Sequence, residues 1–282
     1  MAPKKVEGPS QRLVFLGIEL DSSAMTARLP EDKLEKLKVL VKKWLGLKKA
    51  TKRDLLSLIG FLSFACKVVR PGRMFLRRLI DLSSSVSSLN FFVTLNHQAR
   101  QDIRWWDRFL SRWHGVELIP PPPVSSVDLQ FFTDASDLGL GAVFGPRWVA
   151  LPWPHSWITF HINIRELFAI WVAIHTWGDM LRDTQVNIYT DSLSMTQVWK
   201  KGSCRDVTVM KIIRALFFFT ASRNINLLMI HIPGVDNSQA DALSRFQVET
   251  FRTLNPTANQ HPDEVAHEVW LVLEQDDPLG TD

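Results

Sequence analysis

The sequence predicts an α/β domain with a mixed five-stranded sheet, preceded by a mainly helical region. Before residue 117 the apolar residues recur mostly at helical spacing. After the proline run at 120–123 the pattern changes to three strand-like segments followed by helix, strand, helix, strand and helix. Four consecutive prolines cannot continue a helix and are stiff, so this run is the predicted boundary between the two parts.

The N-terminal part is predicted to begin with one strand and to continue as helices. Residues 12–21 (RLVFLGIELD) form the predicted strand, which ends at a serine turn. Pro30 suits a first helical turn, and apolar residues from Leu34 to Leu45 then repeat at helical spacing, with lysines on the other face. The sequence TKRD at 51–54 has the pattern of a capping box and therefore predicts the start of a second helix.

Two further helices are predicted before the boundary. Pro71 begins a basic helical segment, and residues 94–113 form a helix that carries several tryptophans. Trp105 and Trp106 could stack on nucleic-acid bases, but their spacing favours packing in a core.

Charge is distributed unevenly along the chain. Residues 1–116 contain 22 Lys and Arg against 10 Asp and Glu, whereas residues 117–282 contain 11 against 19. A basic half is typical of a surface that holds a polyanion, although lysine-rich helical faces are also common on surfaces that only face solvent. The basic residues expected to contact nucleic acid are Lys42, Lys43, Lys48, Lys49, Arg73 and Arg77.

Several classes of protein are disfavoured. Cys66 and Cys204 match no metal or disulfide framework, which fits an intracellular reducing setting. No apolar run reaches the roughly 20 residues of a membrane span, and the N-terminus lacks the core of a signal peptide. We expect a chain that is not secreted, with no membrane partner and no small-molecule substrate. Cytoplasm and nucleus both remain open.

Four acidic residues stand in contexts that suit divalent metal binding. Asp134 closes an apolar run (LQFFTDAS), Glu166 lies in an apolar helical run (INIRELFAIWVAIHTWG), and Asp191 ends a strand-like segment (VNIYTDS). Asp241 lies at the start of a short helix, in IPGVDNSQADALSR. Carboxylates gathered from different elements repel one another unless a metal ion neutralises them. The pattern therefore indicates a metal-dependent nuclease.

Each of these acids also has a purely structural explanation. Asp134 suits a turn, Glu166 suits a helix N-terminus through the helix dipole, and Asp191 suits an N-cap. Asp241 fits the acidic position of a capping box that begins at Ser238. The occurrence of all four in this order favours the metal site over four separate coincidences.

These pieces, in this order, resemble the reverse transcriptase and RNase H region of long-terminal-repeat and tyrosine-recombinase retroelements. TDAS, RE, YTDS and ADALSR stand at the four acidic positions of a type 1 RNase H domain. FLGIELDS at 15–22 resembles the strand near the primer grip at the edge of a palm, and LLSLIGFLSFACKVV at 55–69 resembles part of a thumb and connection. The residues in these segments resemble those of the DIRS-like group more than those of the gypsy-type group.

The resemblance implies an RNase H-like α/β fold preceded by a thumb- or connection-like helical region. It divides the chain into five segments: a palm-edge remnant at 1–28, a basic helical region at 29–116, a proline-rich linker at 117–127, an RNase H-like domain at 128–246, and an acidic, partly disordered tail at 247–282.

The same resemblance implies hydrolysis of the RNA strand of RNA–DNA hybrids with two Mg²⁺ ions, which Mn²⁺ can replace. Asp134 would bridge both ions, Glu166 and Asp191 would hold one side, and Asp241 would complete the other. Two such ions, about 4 Å apart, activate water and stabilise the leaving oxygen. Contacts to the RNA 2′-hydroxyls are expected from backbone amides and small polar side chains near four residues: Ser136, Gly139, Ser192 and Gln197.

Three departures from the family pattern affect this expectation. The catalytic palm with its paired aspartates is absent, so we expect no autonomous polymerase activity, and a palm-containing reverse transcriptase is a conceivable partner. The loop at 234–237 lacks the histidine that many family members carry before the last aspartate, and no basic insertion follows Asp191. The basic region 29–116 therefore becomes the expected substrate clamp.

Two other functions stay open at this point. One is a catalytically inactive or domesticated reverse-transcriptase fragment that binds nucleic acid or a protein partner. The other is a different member of the RNase H-like superfamily, such as a transposase or a junction resolvase. An acidic residue on the first helix after three strands favours RNase H over a transposase.

Overall fold

A computed structural model of the chain describes residues 10–112, 116–117, 131–223 and 225–274. The chain divides into two compact units, Met1–Pro121 and Pro122–Asp282. The predicted linker lies outside the described residues except for Glu117, and so do residues 1–9 of the predicted palm-edge remnant. Within the described ranges, no helix combines the length and apolar character needed to cross a membrane.

The first unit is mainly helical. Its elements are β1 (Arg12–Phe15), β2 (Ile18–Asp21), β3 (Thr26–Arg28), α1 (Glu31–Leu45), β4 (Lys49–Thr51), α2 (Lys52–Ala65), α3 (Arg77–Ser84), β5 (Phe92–Thr94), α4 (His97–Arg112) and β6 (Val116–Glu117), with a 3-10 helix at Arg70–Phe75. An antiparallel sheet has the order β1-β2-β3-β6, and β4 pairs with β5.

The single strand predicted over residues 12–21 is a hairpin in the structure. Leu16 and Gly17 both have positive φ, 50° and 79°, and form a two-residue turn between β1 and β2. Turns of this kind match the twist of the flanking strands, and glycine adopts positive φ at no steric cost. The apolar run FLGI therefore contains a turn at Leu16 and Gly17, which its hydrophobicity does not indicate.

The helices predicted for this unit are present, with two corrections: α4 begins at His97 and not at residue 94, because Phe92–Thr94 pairs with β4, and the segment at Pro71 is a 3-10 helix before α3 begins. Thr51 caps α2 by accepting a hydrogen bond from the Asp54 N–H at 3.2 Å. Trp105 stacks on Phe75 with ring centroids 3.8 Å apart, and the Trp106 indole N–H donates to the Phe75 carbonyl. Both tryptophans are buried, which confirms that they belong to the core.

The second unit is an α/β domain. Its elements are β7 (Phe131–Ala135), β8 (Gly139–Phe144), β9 (Arg147–Pro152), α5 (Ile162–Trp177), β10 (Gln185–Thr190), α6 (Leu193–Lys201), α7 (Val207–Ser222), β11 (Asn226–His231), α8 (Ser238–Ser244) and α9 (Val248–Leu254), with 3-10 helices at His155–Trp157, Gly178–Leu181, Gly234–Asn237 and His267–Leu273.

A five-stranded mixed sheet organises this domain. Its order is β11-β10-β7-β8-β9; β7, β8 and β9 form an antiparallel meander, and β10 runs parallel to both β7 and β11. The helix α5, buried along most of its length, packs on β7 and β8. Strand number and mixed pairing confirm the predicted α/β class, a mixed five-stranded sheet with helices.

The described part of the predicted C-terminal tail packs on this domain. The Asp263 N–H donates to the Trp148 carbonyl at 2.8 Å, and the Asp263 carboxylate accepts from the Trp177 indole N–H at 2.7 Å. Val269 is buried, and its carbonyl accepts from the Trp171 indole. Residues 275–282 of this predicted tail lie outside the described residues.

Candidate active site

Asp134 lies on the central strand of the sheet, one residue before the end of β7. Asp134 is only 6% exposed, and the other residues of this strand are apolar or small. A charged side chain is therefore buried among residues that offer it little polar contact. The residue opposite it in the β7–β8 pairing is Gly141. A carboxylate in such a position is unfavourable unless hydrogen bonds or a cation compensate for its lost hydration.

Asp191 directly follows β10 and reaches the same edge of the sheet. Since β10 is parallel to β7 and Tyr189 is level with Phe132, Asp191 is level with Asp134. The Asp191 Oδ1 atom is buried and has no hydrogen-bond partner among the described residues. Gly234 lies beside this carboxylate, and a Cβ there would be at ordinary contact distance, 3.4 Å, from Asp191 Oδ2.

Glu166 is half-buried near the start of α5, on the helix that covers β7 and β8. Burial raises the pKa of Glu166, and the Asp191 carboxylate adds to the rise; the Ser192 hydroxyl and, to a smaller extent, the charges of His161 and Arg165 oppose it. The Arg165 guanidinium is itself buried and donates to the Ser136 carbonyl at 3.2 Å and to the Asp137 carboxylate at 2.8 Å. Arg165 thus ties the start of α5 to the β7–β8 turn.

Asp241 lies in the first turn of α8. The carboxylate is partly exposed and accepts a hydrogen bond from Arg245 Nε at 2.8 Å, one helical turn further along. The Asp241 carboxylate raises the pKa of Arg245, and the charge of Asp134 adds a smaller rise. Asp241 is therefore the member of the set with the nearest permanent cation.

The four carboxylates form one electrostatic cluster. Burial raises the pKa of Asp134 to about 6, and the charges of Asp191, Asp241 and Glu166 all add to the rise, while a hydrogen bond from Ser244 opposes it. The structure thus brings together all four acids that the sequence singled out. Four negative charges in one place favour binding of a divalent cation.

The donor atoms fit a hard cation such as Mg²⁺ or Mn²⁺, which prefers carboxylate oxygens. The buried, unpartnered Asp191 Oδ1 is the clearest sign of this fit. Within the described ranges, however, no three His, Cys, Asp or Glu side chains are already arranged to hold one ion. The carboxylates are neighbours whose side chains would have to turn towards a bound cation.

Gly141 allows α8 to approach the sheet closely, and Gly139 leaves room for β9 and the Phe246 ring. A Cβ at Gly141 would lie 2.4 Å from the Ala240 carbonyl oxygen, and one at Gly139 would lie 2.4 Å from the Leu151 carbonyl oxygen. Separations below 3 Å do not occur between real Cβ atoms and backbone. Only glycine at these positions leaves α8 and its neighbours where they are.

Two buried serines connect α8 to the end of β7. The Ser244 hydroxyl donates to Asp134 Oδ2 at 2.7 Å, and the Ser136 hydroxyl donates to the Ser244 carbonyl at 2.7 Å. Nearby, the side-chain amide of Asn237, which is 1% exposed, donates to the Thr133 carbonyl at 3.0 Å. These contacts fix the segment before and within α8 against the strand that carries Asp134.

Sequence reasoning did not identify Ser244, Gly141 or Asn237 as parts of this site. Ser244 lies within ADALSR, three residues after Asp241, but helical spacing alone does not show which strand α8 contacts. The pair of glycines in GLGA was visible, but only the positions of α8 beside Gly141 and of Leu151 and Phe246 beside Gly139 explain why both are needed.

The residues predicted to contact RNA occupy different environments. Ser136, Gly139 and Ser192 are buried, and the Ser136 hydroxyl also accepts from the N–H groups of Leu138 and Gly139. Their backbone groups are engaged as well: the Ser136 and Ser192 N–H groups donate to Gly139 and Thr190, and the Ser136 carbonyl accepts from Trp153 and Arg165. Gln197 on α6 is exposed. In the first unit, Lys42, Lys43, Lys48, Lys49 and Arg73 are exposed, and Arg77 pairs with Asp81.

No protein-family model and no curated protein matches the chain. Among solved structures, LC11-RNase H1, isolated from compost by a metagenomic approach, is 20% identical over 42% of this chain and 94% of its own, with a TM-score of 0.36. RNase H1 from the halophilic archaeon Halobacterium salinarum is 15% identical over 43% of this chain and 97% of its own, with a TM-score of 0.35.

A foamy viral protease-reverse transcriptase in complex with an RNA/DNA hybrid is 12% identical over 78% of this chain, with a TM-score of 0.32. The chain spans 29% of that protein. The fold of the second unit is defined by its own strand order, and the candidate site by its own four carboxylates.

Proposed function

We propose that the chain is a metal-dependent endonuclease of the RNase H type, which hydrolyses the RNA strand of RNA–DNA hybrids. The observation that carries this proposal is the electrostatic coupling of Asp134 to Asp191, Asp241 and Glu166 at one edge of the mixed sheet. Each acid comes from a different element, which is costly for a stable fold and useful for binding cations.

Two Mg²⁺ ions are the proposed cofactor, with Mn²⁺ as a substitute. When bound, such ions supply an activated water and stabilise the leaving oxygen of a phosphodiester. The hard-oxygen donors and the unpartnered Asp191 Oδ1 support this choice over a metal that prefers Cys or His.

The pattern of coupling suggests a role for each acid. Asp134, on the central strand, would help to hold the ions; the charges of the other three acids add to the rise in its pKa. The pKa of Glu166 responds to Asp191, so these two are proposed to hold one side together. Asp241 is proposed to complete the other side after its contact with Arg245 opens or rearranges.

The substrate is proposed to be held through its phosphates by the basic residues of the first unit. Lys42, Lys43, Lys48, Lys49 and Arg73 are exposed and carry charge that a polyanion can neutralise. Selection of RNA would come from 2′-hydroxyl contacts, for which Gln197 offers an exposed amide; the remaining contacts are proposed to come from groups near the buried residues Ser136, Gly139 and Ser192.

A second candidate function has a specific observation in its favour. In the described ranges, no three acids are already arranged to hold one ion, and the Asp241 carboxylate forms an ion pair with Arg245. A fragment that binds nucleic acid or a protein partner without cutting would tolerate both features. A palm-containing reverse transcriptase is the proposed protein partner in that case.

A substrate panel tests the proposal. The full chain is incubated with Mg²⁺ and end-labelled RNA–DNA hybrid, duplex RNA, duplex DNA or a DNA strand-transfer substrate. Cleavage of the RNA strand of the hybrid alone is the expected result. Binding without cleavage would support the inactive fragment, and DNA strand joining without hybrid cleavage would replace the proposal with a transposase-like activity.

A further inference from the structure

Ser244 places a fully buried hydroxyl between two of the candidate metal ligands. Its Oγ is 2.7 Å from Asp134 Oδ2 and 2.9 Å from the main-chain oxygen of Asp241. A hydroxyl has one hydrogen to donate, and a bond to a carboxylate is stronger than one to a neutral carbonyl. The shorter contact, to Asp134, is therefore the dominant one.

This contact determines how the Asp134 carboxylate is oriented. Over the described ranges, Ser244 is the one hydrogen-bond donor to that carboxylate, and it uses Oδ2. The partner oxygen, Oδ1, is left as the atom that can ligate a cation. Without the hydroxyl, rotation about the terminal side-chain bond would be much less restricted, because such bonds have broad energy minima.

The main chain of Ser244 is held independently of its hydroxyl. The Ser136 hydroxyl donates to the Ser244 carbonyl at 2.7 Å, and Ser136 is fixed in turn by the N–H groups of Leu138 and Gly139. Close packing of α8 on Gly141 adds a second restraint. The position of Ser244 therefore does not depend on the bond that it makes to Asp134.

We propose that Ser244 is a positioning residue for metal binding: it holds Asp134 Oδ2 and thereby presents Oδ1 to a divalent cation. This inference rests on the proposed function, since it needs Asp134 to be a metal ligand. The competing explanation is that the hydroxyl only satisfies the Asp241 carbonyl, as serines often do within helices. Partners that orient a ligand typically contribute 10- to 100-fold in metal affinity.

Mn²⁺ binding to the full chain without nucleic acid tests the inference, with free Mn²⁺ measured by electron paramagnetic resonance. Ser244→Ala should weaken Mn²⁺ binding about 10- to 100-fold and should also lower the melting temperature, because the buried Asp134 oxygen loses its donor. Ser244→Thr, which keeps the hydroxyl, should restore most of the affinity. The matched control is Ser222→Ala, at the end of α7, where the hydroxyl that is removed donates to the Phe219 carbonyl and accepts from Arg223 Nη1, and contacts none of the four acids.

A double-mutant cycle separates orientation of Asp134 from general disturbance of the fold. In an Asp134→Asn background, Ser244→Ala should weaken Mn²⁺ binding no further, because the carboxylate that it orients is gone. An equal loss in both backgrounds would overturn the inference and assign Ser244 a general structural role.

The remaining outcomes distinguish the inference from the proposed function. If Ser244→Ala binds Mn²⁺ as tightly as the wild type does, the role of Ser244 is overturned and the proposed function is left intact. Wild-type protein that neither binds Mn²⁺ nor cleaves the hybrid would overturn the proposed function, and the role of Ser244 with it.

Discussion

Asp134 and Gly141 face each other across the β7–β8 pairing, and the missing side chain of Gly141 is what lets α8 lie against the strand that carries the acid. A Cβ at Gly141 would meet the Ala240 carbonyl at 2.4 Å and both Leu243 Cβ and the Ser244 nitrogen at 2.6 Å. The distance between Asp134 and Asp241 is therefore controlled by a residue without a functional group.

Gly141→Ala should displace α8 from the sheet and reduce hybrid cleavage strongly, by about 100-fold, because small displacements of reacting groups have effects of that size. Overpacking should also lower the free energy of unfolding by about 1–3 kcal/mol. Cleavage rates and chemical denaturation measure the two effects. Gly60→Ala is the control, because a Cβ there meets nothing within 4 Å; equal losses in both variants would contradict the explanation.

The raised pKa of Asp134 predicts that this carboxylate destabilises the metal-free protein at neutral pH. Its pKa is about 6 in the folded protein against a usual value of 3.8, so the folded state binds more protons between these values and loses stability as the pH rises through them. Burial is the main cause of the shift, and the other three acids add to it. The penalty is absent below pH 3.8 and complete above about pH 6.

Asp134→Asn should therefore stabilise the metal-free protein by up to about 3 kcal/mol at pH 7 and have little effect near pH 3.5. Melting temperatures of both proteins between pH 3.5 and 8, with a chelator present, measure the difference. Added Mg²⁺ should close the gap at pH 7 by stabilising the wild type alone. A difference that does not change with pH would contradict the electrostatic origin.

Asp263 is predicted to attach the C-terminal segment to the sheet domain. Its carboxylate accepts from the Trp177 indole and from Arg147, and its side chain is largely buried. Asp263→Ala should lower the free energy of unfolding by about 1–3 kcal/mol, because a buried indole N–H is left without its partner. Glu264→Ala, at an exposed position next to it, should have little effect. Similar losses in both would show that Asp263 contributes nothing specific.

The lysines at the end of α1 are predicted to bind phosphates. Lys42→Gln combined with Lys43→Gln should weaken hybrid binding and make it less sensitive to salt, by about one counterion for each phosphate that is no longer neutralised. Hybrid affinity at several salt concentrations measures this slope. The control pair is Lys36→Gln with Lys38→Gln on the same helix, where each lysine already has an acidic partner. Equal changes in both pairs would indicate attraction by net charge alone.

The sequence was sufficient to predict the mixed sheet, the buried tryptophans and all four acids of the candidate site. These features depend on local periodicity and on residues at the ends of elements, which a sequence displays directly. The structure places Asp191 beside Asp134 because β10 runs parallel to β7, and parallel strands bring their carboxyl ends to one edge.

Features that depend on contacts between distant segments were not predictable. The turn at Leu16 and Gly17 lies inside an apolar run, so hydrophobicity alone suggested one continuous strand. The bond from Ser244 to Asp134 joins residues 110 positions apart and depends on where α8 lies against β8. Local pattern contains neither piece of information.

Metal-dependent cleavage by wild-type protein and Asp134→Asn is the most direct test of the central claim. Single-turnover cleavage of the labelled RNA strand of a hybrid is measured with Mg²⁺, Mn²⁺ or chelator, and hybrid binding is measured in parallel. We predict cleavage only with metal, and a loss of about 1000-fold or more in Asp134→Asn, with hybrid affinity nearly unchanged. Cleavage in the presence of chelator, or full activity in Asp134→Asn, would contradict the assignment of the four carboxylates as the catalytic centre.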